Sequence, residues 1–112
     1  AFGADRAKAA AGAAALALEK QQFERAFSLA TQARLWDPSL ERAIVTQVIA
    51  LVKLKRLDDA RALTATPVKD ARVAARLVGL RGVVLHEQGQ FAEAEQLLRQ
   101  SADQLRSLGE AP

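Results

Sequence analysis

Few side chains in this sequence are able to do chemistry. Among the 112 residues there is one histidine, His86, and there is neither cysteine nor tyrosine. His86-Glu87 matches the start of a zinc-protease helix, but that motif needs a second histidine four positions on, where Gln90 stands. The missing cysteines exclude disulfides, thiolate zinc sites and thiol nucleophiles, and they leave the redox compartment open. Gly79 and Gly82 fall inside a helical stretch, without the Lys-Ser/Thr pair or third glycine of a phosphate-binding loop. Asp58-Asp59 pairs two carboxylates near a helix start, where the helix dipole favours negative charge; that reading outweighs an acid–base role. The expectation is a chain that is not an enzyme, with no catalytic residue, no metal, no cofactor and no small-molecule substrate.

What remains is binding, and so the elements that would present a surface. The length suits a single domain. Half of the residues are hydrophobic, 26% are charged and 25 are alanine, the best helix former. This composition points to an all-α fold with closely packed helices. The apolar stretches 9–18 and 43–52 are shorter than the roughly 20 residues of a membrane helix. A membrane anchor or targeting segment is therefore expected only outside this sequence. The sequence also lacks methionine, which suggests a processed chain or a piece of a longer one. The net charge of +3 comes from 16 basic residues interleaved with 13 acidic ones, so partner choice is biased at most towards acidic surfaces.

Self-similarity carries the argument further. Gln22-Phe23-Glu24-Arg25-Ala26, Arg56-Leu57-Asp58-Asp59-Ala60 and Gln90-Phe91-Ala92-Glu93-Ala94 align, with their alanines spaced by 34 residues. In that register the repeats run over about 7–40, 41–74 and 75–108. The eighth position reads Ala14, Val48 and Gly82, and the eleventh Ala17, Leu51 and Leu85. Ala26, Ala60 and Ala94 are expected where a second helix crosses a first, and Phe23, Leu57 and Phe91 are expected to plug the gap between neighbours. Trp36, the only tryptophan, is expected to pack in the core and staple the first pair to the next helix.

These residues and this period resemble the tetratricopeptide repeat family, whose unit is a helix–turn–helix of 34 residues. Asp37-Pro38 resembles the proline that closes the family's repeat. The resemblance covers residues 7 to about 108. It implies a right-handed superhelical stack of antiparallel helix pairs, about six helices in all. Apolar spacing and breaks place them at about 4–20, 22–36, 38–54, 57–65, 69–88 and 90–108. Asp37 is expected to cap the third helix, with Pro38 in its first turn. Pro67 should shorten the fourth helix, and Gly89 and Gly109 should close helix ends.

The resemblance also implies a binding surface lined by the first helix of each pair. The second position of each repeat reads Lys8, Arg42 and Arg76, a basic rail. The floor reads Ala11, Ala15 and Leu18, then Val45, Ile49 and Val52, then Gly79, Val83 and His86, with Glu19, Lys53 and Glu87 beside it. An acidic-flanked apolar peptide or helix of a partner protein would complement such a groove. The chain has no asparagine, which argues against the clamp that grips chaperone tails. The leading reading is a protein–protein interaction scaffold. The preference for alanine and arginine suggests a bacterial source, in a secretion, envelope-polysaccharide or regulatory assembly. Cytoplasm and periplasm both stay open. Two alternatives for the strip stand beside it: coverage by another repeat or a second copy in a homo-oligomer, and plain solvated charge. Nucleic-acid binding fits poorly, because the groove offers cations without stacking aromatics.

Overall fold

The structure, a computed structural model, describes residues 2–109. Among the described residues it is all-α: α1 Phe2–Glu19, α2 Phe23–Trp36, α3 Arg42–Lys53, α4 Leu57–Thr64, α5 Ala71–Glu87 and α6 Phe91–Ser107, with no strand. None of these helices is long and apolar enough to cross a membrane.

The 34-residue spacing is present in the backbone as well as in the sequence. Helices α1, α3 and α5 end at Glu19, Lys53 and Glu87, and their successors begin at Phe23, Leu57 and Phe91. Between each end and each start lies one residue in the left-handed region: Gln21 at φ 62°, Lys55 at 62° and Gly89 at 84°. The same bond pair closes all three turns. Gln22 N–H donates to Ala17 C=O, Arg56 N–H to Leu51 C=O and Gln90 N–H to Leu85 C=O, at 2.8, 2.9 and 2.9 Å. Inside each, the left-handed residue's own N–H donates to a carbonyl three residues back. This arrangement caps orphan carbonyls at a helix end and favours glycine, which only the third turn has.

Two boundaries follow from side-chain competition. α4 stops at Thr64, where Thr64 and Thr66 hydroxyls donate back to Arg61 and Leu63 carbonyls ahead of Pro67. α5 opens on Asp70, whose Oδ1 accepts from Arg72 and Val73 N–H at 2.8 and 3.1 Å. Asp70→Ala is expected to destabilise the chain by about 1 kcal/mol, read as a lower urea midpoint with unchanged slope.

Asp37-Pro38 does not start α3, which begins at Arg42. Asp37 Oδ1 instead accepts from the Ser39 hydroxyl at 2.6 Å and the Ser39 N–H at 3.1 Å, and Leu40 N–H donates to Asp37 C=O. A side chain two residues on thus turns the carboxylate into a local turn former.

The chain divides into two compact units, Ala1–Arg56 and Leu57–Pro112, and the boundary falls inside the second repeat. In the first, α1 and α2 pair and α3 packs on both. Its core is largely alanine: Ala10, Ala14, Ala30, Ala33 and Ala43 form one cluster, and Ala17, Ala26 and Ala50 another. Small side chains bring the backbones close. The polar exception is Gln47, 4% exposed on α3. It accepts from Arg34 Nη1 at 2.7 Å and donates to Thr31 Oγ1 at 2.9 Å.

In the second unit α5 pairs with α6, and α4 packs on α5. Ala94 and Ala60 are fully buried, as is Ala26 in the first unit. At Gly82 a Cβ would lie 3.1 Å from the Ala94 carbonyl oxygen and 3.0 Å from Leu98 Cγ. Ser101, also buried, donates to the Ala75 carbonyl at 2.8 Å.

The aromatic expectations need correction. Trp36 is 40% exposed and so is no core residue, and the Arg6 guanidinium sits 5.2 Å from its ring centroid. Phe91 plugs no gap: it is 60% exposed and meets the His86 ring edge-on at 4.9 Å. Phe23 and Leu57 are half-buried.

Candidate functional site

In the first unit, the helical period sets Lys8, Ala11, Gly12 and Ala15 on one face of α1. Arg42 and Thr46, four residues apart, share a face of α3. These two faces border a hollow of about 350 Å³ whose remaining lining is Leu40 and Ala43. Lys8 and Arg42, two of the sequence-derived cations, therefore meet at one groove with a mainly apolar floor. Both are exposed, and among the described residues no hydrogen bond or ion pair holds either. Asp37 is a neighbouring carboxylate. The Ser39 hydroxyl, then the Ser39 N–H, hold its carboxyl below the usual range, with a smaller contribution from the Lys8 charge.

Exposed cations above an apolar floor suit a ligand that places carboxylates outside small aliphatic side chains. Arg42 adds a planar fork able to grip a carboxylate with two bonds. Burial of the aliphatic part would supply affinity, and the charges would supply orientation and encounter rate.

The other candidates are distributed differently. Val45, Ile49 and Val52 lie on one face of α3, each half-buried, with Lys53 exposed in its last turn. Arg76, Val83 and His86 belong to α5 in the second unit, where Arg76 and His86 are exposed and Val83 is half-buried. His86 lines another hollow, with Phe91, Glu95, Leu98, Arg99 and Ala102. Gly79 is not open floor, since a Cβ there would lie 2.7 Å from Ser101 Oγ on α6.

Four lining residues, Gly12, Leu40, Ala43 and Thr46, had no place in the sequence-derived set. Gly12 and Thr46 hold the same place in the first and second repeats, so their column carried a signal. Leu40 reaches the groove only because residues 37–40 turn before α3 begins. Among the described residues no cluster of metal-ligating side chains occurs. Comparison with protein-family models and with curated proteins finds no match for this chain.

Proposed function

We propose that this chain is a protein-interaction module of the tetratricopeptide type, and that it binds an acidic-flanked apolar peptide or helix of a partner protein in the groove between α1 and α3. The observation that carries the reading is the meeting of Lys8 and Arg42 beside one apolar hollow. Supporting the repeat assignment are the three turns that share one backbone geometry at 34-residue intervals. The right-handed superhelical stack belongs to the same proposal. So do a non-enzymatic role and a place in a bacterial secretion, envelope-polysaccharide or regulatory assembly.

Selection from a displayed peptide library tests it. Wild-type protein is expected to enrich sequences with Asp or Glu flanking small aliphatic residues. Lys8→Glu/Arg42→Glu, its helical circular dichroism unchanged, is expected to bind the enriched peptides roughly tenfold or more weakly. Enrichment indifferent to charge, or affinity untouched by the reversal, would remove the groove from the proposal.

A further inference from the structure

The first unit contains an interface whose two halves recur, unpaired, at other places in the chain. There α3 lies on the α1/α2 pair, with Gln47 bonded to Arg34 and Thr31, and Ala50 packed with Ala17 and Ala26. The 34-residue register gives each half an equivalent. The receiving face of α2 corresponds to α6, with Ala30, Thr31 and Arg34 matched by Leu98, Arg99 and Ala102. The docking face of α3 corresponds to α1, with Gln47 and Ala50 matched by Ala13 and Leu16. Both equivalents are open. Phe91 and Leu98 are 60% and 39% exposed beside a hollow of about 480 Å³, and Leu16 is 51% exposed beside one of about 450 Å³.

We propose that the chain self-associates head to tail, with α1 of one copy docking on the α5/α6 pair of the next, in the place α3 takes over α1/α2. The two faces occupy the repeat positions of a contact the chain already makes internally, with different side chains at each position. The rims carry charge as well: Glu95 on the receiving hollow is bonded to Arg99 at 2.6 Å and its side chain stays largely exposed, and the rim of the α1 hollow carries Lys20 and Arg25, which can share that carboxylate. The contact is heterologous, so each docking leaves a free α1 face and a free α6 face and copies add in series. It uses a different stripe of α1 from the Lys8 groove, and so stands independently of the partner-binding proposal.

Sedimentation of the 112-residue chain over micromolar to millimolar concentration tests this, beside Leu16→Glu and Ala102→Arg, each at an exposed position. Wild type is expected to grow past dimer with concentration, and each variant alone to stay monomeric. A mixture of the two variants is expected to form dimer and nothing larger, because Leu16→Glu keeps its α6 face and Ala102→Arg keeps its α1 face. Phe91→Gln should repeat the Ala102→Arg result if that variant fails to fold. A monomeric wild type throughout would overturn the proposal and leave the two faces to other segments or partners. Variants that stay monomeric when mixed would replace it with a symmetric contact.

Discussion

Ala94→Leu is expected to destabilise the chain by about 1–3 kcal/mol, through overpacking. Ala94 is fully buried on α6, where that helix lies so close to α5 that a single methyl at Gly82 would already press on the Ala94 carbonyl oxygen. A leucine would gain apolar burial, but only by forcing the helices apart along a contact that has no slack. Ala92 on the same helix is exposed, so Ala92→Leu is the control and should change stability by less than about 0.5 kcal/mol. Urea melts of the two variants give the comparison. Equal midpoints would mean that α5 and α6 do not cross where the structure puts them.

Gln47→Ala is expected to cost a similar amount, about 1–3 kcal/mol, for a different reason. Its side-chain amide both accepts from Arg34 and donates to Thr31, in a contact between α2 and α3 that is otherwise mainly alanine. Thr31 retains its bond to the Phe27 carbonyl at 2.8 Å when the amide is removed. Arg34 loses the acceptor that satisfies it. The loss should therefore be non-additive: Gln47→Leu combined with Arg34→Leu should be more stable than Gln47→Leu alone, since both polar partners then leave together. Additive losses would show that the two side chains do not depend on each other.

Much of the architecture was readable because its determinants are local. The short α4 follows from Pro67, and the buried alanines Ala26, Ala60 and Ala94 from one repeating column. Asp37 was misassigned as the cap of the third helix, since the same carboxylate can cap a helix or form a turn, and Ser39 two residues on decides for the turn. Trp36 and Phe91 misled because a large apolar side chain at a helix end implies burial only if another element arrives to cover it. For Trp36 the visitor is a guanidinium, and for Phe91 it is a single imidazole edge. Of the groove, the pair Lys8 and Arg42 was legible from the repeat column. Gly79 was misassigned because a missing side chain equally marks an open floor or a close helix contact.

The pairing of each helix with its neighbours in the chain bears on how quickly the molecule assembles. Within each unit, consecutive helices touch, and the farthest reach in the first is from α1 to α3. Bringing such segments together closes only short loops, whose entropic cost is small. Helical proteins rich in local contacts fold on the microsecond-to-millisecond scale. Since α1, α2 and α3 contact one another within the first 56 residues, their pairing can begin before α4, α5 and α6 leave the ribosome.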